Sequence, residues 1–217
     1  MKKTLQNLYP LLSLGLLPIS SLMYDWVNHP GSEVHILSTA VDRHVPFSAV
    51  FIIPYLLWTL YIYGTLIYFY FKDKKTYFKT LFVYIAGLLI CYTVYNVFQT
   101  TVPRPFVSGS SFLGSLVNWV YAMDAPYNCF PSIHCFSSYL LSRVIRRAPF
   151  STIWNRSVIT CLSVIIIVST LMVKQHVVLD VLAAILLAEI LCFVADRNWS
   201  PFIKSKPIPS TTKEISH

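Results

Sequence analysis

Residues 157–180 read SVITCLSVIIIVSTLMVKQHVVLD. Ser157 to Val173 carries no charge, Lys174-Gln175-His176 interrupts the apolar run, and Asp180 stands four residues beyond the histidine. A second apolar run, His176 to Val194, holds only Asp180 and Glu189. Two such runs separated by a short polar break predict two membrane helices. Residues four apart share a helix face, so His176 and Asp180 meet at the start of the second helix. A carboxylate at membrane depth is costly without a partner, which makes Asp180 a functional candidate with His176 beside it.

The same reading extends outward along the chain. Hydrophobic residues make up 55% of the sequence and charged residues only 12%, and the charges are clustered. Thr4 to Tyr24, Val45 to Phe71 and Thr80 to Pro103 are charge-free and long enough to span a bilayer, which takes about 20 residues. Pro131 to Ser142 is a shorter candidate. The expectation is an all-α, polytopic membrane protein with six transmembrane helices. Residues 1–200 form one domain without internal repeats, followed by a disordered tail, 201–217, rich in proline, serine and lysine. Phe112 to Ala122 is apolar but too short to cross, so it lies in the interface or folds over the site. Abundant tyrosine and tryptophan suit interfacial belts.

Charge sets the orientation. With these spans, 14 of the 17 Lys and Arg fall on one side: Lys2 and Lys3, Lys72 to Lys79, Arg143 to Arg156, and Arg197 to Lys213. By the positive-inside rule both termini are cytoplasmic. The net charge of +8 is thus a topology signal and gives no reason to invoke nucleic acid. Only Arg43, Arg104 and Lys174 face outward, and Arg43 reads as an exposed pair with Asp42. Lys2-Lys3 before an apolar stretch resembles a secretory leader, but Ile19 to Trp26 offers no small-x-small cleavage site. The stretch is therefore read as the first span. Cys129 and Cys135 flank one outer segment, and packing is expected there in preference to a disulfide.

Three outer segments carry chemistry. Pro131-Ser132-Ile133-His134 reads as a helix start, with proline in the first turn, free N–H groups and a serine hydroxyl suited to an anion. His134 stands where it can protonate an oxygen bound there. Pro103-Arg104-Pro105 presents one guanidinium on a stiff backbone, a geometry that fits two phosphate oxygens. In His176-x-x-x-Asp180 the carboxylate can fix the imidazole tautomer and leave the other nitrogen free to attack phosphorus. His134, His176 and Asp180 are also metal-ligand types, but they lack the close pairing of metal sites. The residues are therefore read as a metal-free phosphate site, with no cofactor.

The ordered set resembles the type 2 phosphatidic acid phosphatase superfamily, whose motifs are Lys-x6-Arg-Pro, Pro-Ser-Gly-His and Ser-Arg-x5-His-x3-Asp. The chain has Arg104-Pro105, Pro131-Ser132-x-His134, and Ser169 with His176-x3-Asp180 at matching spacing. The first-motif lysine falls on Val97, the glycine on Ile133 and the third-motif arginine on Thr170. Two cations are therefore missing. Lys174 is the candidate to restore one, and Gln99 is a neutral alternative. Phe130-Pro131-Ser132-Ile133-His134 with Lys174-Gln175-His176 looks like the branch that includes inositol phosphorylceramide synthases.

The resemblance implies a membrane lipid phosphatase with its site at the outer face of the cell membrane. His176, oriented by Asp180, attacks phosphorus, and His134 protonates the leaving oxygen. Arg104 and Ser132, with Lys174, hold the phosphate. The expected partner is a membrane lipid phosphate: phosphatidate, phosphatidylglycerophosphate or a polyprenyl diphosphate. A phosphotransferase using a lipid alcohol is the alternative, and a non-catalytic membrane protein with a degenerate site is the second.

Overall fold

The computed structural model describes residues 9–29, 31 and 33–199. The proposed tail and the first residues of the first expected span lie outside them. A 3₁₀ segment, Tyr9–Gly15, leads into α1 (Leu16–Val27). Two short elements follow, β1 (His35–Ile36) and α2 (Ala40–His44), and then α3 (Ile52–Leu56) runs on into α4 (Trp58–Lys72). The remainder is α5 (Lys74–Val97), β2 (Thr100–Thr101), α6 (Phe112–Met123), α7 (Ile133–Ile145), α8 (Ile153–Met172) and α9 (Val178–Trp199).

Among the described residues, four helical stretches are long and apolar enough to cross a membrane: Ala49–Lys72, Lys74–Val97, Ile153–Met172 and Val178–Asn198. The fourth expected span is a shorter helix, and so is the described part of the first, Pro10–Tyr24. With 13 residues, α7 is roughly 20 Å long at the helical rise, less than a bilayer core. It can be short because protein surrounds it: α8 and α9 pack along it, with α4 and α5 on other sides. Phe136, Leu140, Leu141 and Ile145 are fully buried there.

Side-chain caps set the helix starts. Asp73 accepts from the Thr76 N–H and opens α5 straight after α4, so this helix takes in Lys74, Lys75 and Lys79 and ends at Val97. It therefore stops short of Pro103, and Arg104 lies beyond β2 on a non-helical segment. Thr152 caps α8 by accepting from the Asn155 N–H, and Ser132 caps α7 by accepting from the Cys135 N–H. Pro131 thus precedes the cap and is not part of the first turn. The reason is that serine competes better than proline for the capping position.

At the end of the bundle away from Arg104 and the α7 start, Asp196 of α9 binds Lys79 of α5, and also Arg143 and Arg147, at 2.9 and 3.3 Å. Glu189 accepts from the Tyr139 hydroxyl at 2.7 Å and pairs with Arg143 at 3.5 Å. At the opposite end β1 and β2 pair in parallel, His35 with Thr100 and Ile36 with Thr101. Thr100 also bridges to Asn128. These pairings draw the Arg104 segment and the α7 start together.

Candidate active site

The loop between α8 and α9 is built by a helix-ending turn. The Gln175 N–H donates to the Thr170 carbonyl at 3.0 Å and the Lys174 N–H to that of Leu171 at 3.1 Å. This is the paired pattern that closes a helix through one left-handed residue, which here is Lys174 at φ 53°. The His176 N–H joins Gln175 on the Thr170 carbonyl at 3.2 Å. The turn therefore delivers Gln175 and His176 just ahead of the first turn of α9.

Asp180 is fully buried there, and its Oδ2 accepts from the Val177 N–H at 2.9 Å. His176 Nδ1 lies 3.2 Å from the same oxygen and 3.0 Å from the Cys129 carbonyl. Both neighbours are acceptors, so Nδ1 carries the proton. In the neutral ring the lone pair is then on Nε2.

The His134 ring centre is 5.8 Å from that of His176. It lies between Tyr55, stacked at 4.6 Å, and Trp58, tilted at 4.2 Å. Arg104 lies over the Tyr121 ring at 4.5 Å and donates to the Tyr121 carbonyl at 3.1 Å, to the Asp124 carbonyl at 2.8 Å, and to Gln175 Oε1. Helix α6 thus folds over the site and holds its arginine from above.

The other expected phosphate ligands are placed differently. Ser132 is fully buried and its hydroxyl accepts from Cys135 at 3.2 Å, so it caps the helix that carries His134. The Lys174 ammonium donates to the Asp42 carbonyl at 3.1 Å and the Val45 carbonyl at 2.5 Å, which uses two of its three protons. Gln99 donates to the His29 carbonyl and accepts from the Gly31 N–H. Asp42 is no exposed partner of Arg43: it is buried, accepts from the Thr39 N–H and hydroxyl, and caps α9 through the Val178 N–H at 2.8 Å. A free N–H at a helix start outcompetes a solvated guanidinium for the carboxylate. Cys129 and Cys135 are buried free thiols.

Two cavities meet at His176 and Arg104. One, of about 470 Å³, also holds His134 and runs between α1, α4, α5 and α6 past Leu17, Ile62 and Leu88, with tyrosines along it. The other, of about 600 Å³, is framed by the segment between β1 and α3 and reaches Ser38, Arg43 and Lys174. Among the described residues no group of three or more His, Cys, Asp or Glu is arranged to hold a metal ion. Gln175 was absent from the sequence-derived site. Its signals were adjacency to His176 in a polar break and its place in the Lys174-Gln175-His176 run.

The chain belongs to the PAP2 superfamily, whose model matches residues 32–194. No curated protein matches it. Among solved structures it is similar to LpxE from Aquifex aeolicus, with 12% identity and a TM-score of 0.48 over 68% of this chain and 93% of that one.

Proposed function

We propose that this protein is an integral membrane phosphatase that hydrolyses the phosphomonoester or diphosphate of a membrane lipid through a phosphohistidine. Membership of the PAP2 superfamily supports a membrane lipid phosphatase in general. The observation that carries the finer reading is the His176 ring, whose Nδ1–H is held by Asp180 and the Cys129 carbonyl and whose Nε2 is left to react.

Nε2 attacks phosphorus and forms an N–P bond as the bond to the lipid oxygen breaks. His134, entering in its protonated form, gives its proton to that oxygen. The ring of His176 becomes cationic, and Asp180 stabilises it. Water then attacks phosphorus, passes a proton to His134, and the N–P bond breaks to release phosphate and neutral His176. Arg104 holds non-bridging oxygens, where charge develops. Ser132 sets the α7 start, and Lys174 offers its remaining proton while tying down the outer loop. The apolar cavity suits a lipid chain. The reading retains six spans, cytoplasmic termini and a site on the outer face of the cell membrane, supported by the clustering of basic residues at the helix ends away from His176.

A phosphotransferase is the second reading, with an alcohol in place of water. The outer cavity favours it, since about 600 Å³ is far more than a water molecule needs. Purified protein in detergent, assayed across a panel of lipid phosphates, separates the two: hydrolysis releases inorganic phosphate, and transfer does not. His176→Ala is expected to abolish turnover, and Asp180→Asn to lower it by up to about 10⁴-fold through lost tautomer control. Near-normal turnover by folded His176→Ala protein would sink the phosphohistidine route.

A further inference from the structure

The family resemblance calls for three cations around the phosphate, and the structure shows what stands at the two vacated positions. Val97 is 76% exposed at the end of α5 and lines neither cavity. Thr170 is fully buried, with its hydroxyl donating to the Ile167 carbonyl at 2.7 Å and its Oγ1 3.5 Å from Cys135 Sγ. Gln99 is engaged with the outer loop through both ends of its amide, and the Lys174 ammonium sits on two carbonyls.

One further donor stands beside Arg104. Gln175 is 3% exposed, lines the apolar cavity with His134 and His176, and is held in place by the turn that ends α8. Its amide orientation follows from chemistry. A guanidinium only donates, so the oxygen of Gln175 must face Arg104 and the NH₂ must face away. That Nε2 is buried without a partner among the described residues, and so is Arg104 Nε. A buried donor left without an acceptor is costly, so two on linked side chains next to His176 mark a place for an acceptor.

Resting on the phosphatase reading above, we propose that Gln175 is a phosphate ligand: its Nε2 donates to a non-bridging oxygen of the substrate phosphoryl group, beside the Nε of Arg104. Gln175 thereby supplies, as a neutral donor, part of what two cations provide in the family pattern. The Arg104–Gln175 bond also makes the pair one unit, each side chain fixing the donors of the other.

The test uses the full-length protein in detergent and two readouts, kcat/KM on a lipid phosphate and binding of orthovanadate by calorimetry. Gln175→Met removes the donor, and Gln175→Glu keeps the shape and the Arg104 contact but presents only acceptors. Both are expected to lower kcat/KM on the order of 100-fold, the effect of losing one transition-state donor, and to weaken vanadate binding, with the glutamate worse. Thermal midpoints measured alongside report folding. If Gln175→Met does not fold, Gln175→Glu carries the test alone. Vanadate binding within twofold of wild type in the folded variants overturns the proposal, even where turnover falls, because a merely structural glutamine would behave that way. If the wild type turns over no lipid phosphate, the phosphatase reading fails, while the vanadate arm still decides whether Gln175 binds the anion.

Discussion

Lys174 shows how much one backbone conformation can organise. A left-handed residue other than glycine pays roughly 1–2 kcal/mol, and here the turn places Gln175 and His176. The ammonium ties the turn to the segment between β1 and α3 through Asp42 and Val45, while the Asp42 carboxylate caps α9. Burial alone would raise the Asp42 carboxyl, but hydrogen bonds from the Thr39 and Val178 N–H groups and the Thr39 hydroxyl, with Lys174 nearby, hold it below the usual carboxylate range. A depressed folded value stabilises the protein above the unfolded aspartate value, near about 4, and the benefit is lost as pH falls below that point. The thermal midpoint of the wild type is therefore expected to drop more steeply than that of Asp42→Asn as pH is lowered from about 5 to about 3. Parallel pH curves for the two proteins would show that the clasp does not contribute.

Among the elements, α7 is the one on which the others converge. It carries His134 at its start and Arg143, paired with Asp196 and Glu189, near its end. Its contact with α5 depends on a missing side chain. A Cβ on Gly87 would lie 2.0 Å from Cζ of Phe136, whose ring is fully buried. Relieving that clash requires the ring or the two helices to shift. Gly87→Val is expected to lower stability by about 1–3 kcal/mol, the usual cost of overpacking, and Gly87→Val with Phe136→Leu to recover part of it. Thermal unfolding in detergent reads both. An unchanged midpoint in the single variant would mean that α5 and α7 pack less closely than described.

For the molecule as a whole, charge and chemistry occupy opposite ends. Lys72 lies over Tyr68, Lys74 over Tyr70, Arg146 over Tyr139 and Arg197 over Phe193, each at 5.3–6.0 Å, a set of aromatic-backed cations at one end of the bundle. His134, His176 and Arg104 are at the other. With the positive end cytoplasmic, cysteine introduced at Arg43 is expected to react with a membrane-impermeant maleimide on intact cells, and cysteine introduced at Lys75 only after permeabilisation. The reverse pattern would turn the site inward and require a cytoplasmic lipid phosphate.

The apolar runs, their polar breaks and the His176–Asp180 pair were legible from sequence, because hydropathy over about 20 residues and one-turn spacing are local properties. Arg104 and His134 were legible through motif spacing. The length of α7 was not, since a helix surrounded by protein need not match the bilayer. Neither were the partners of Lys174, Gln99 and Asp42, which lie 132, 70 and 136 residues away in sequence. Hydrogen bonds over such separations depend on how helices pack, and one side chain's donors are spent or spared accordingly. That is why Lys174 was visible as a candidate and Gln175 was not: residue type is written in the chain, whereas the absence of a partner for a buried N–H exists only once the fold has closed around it.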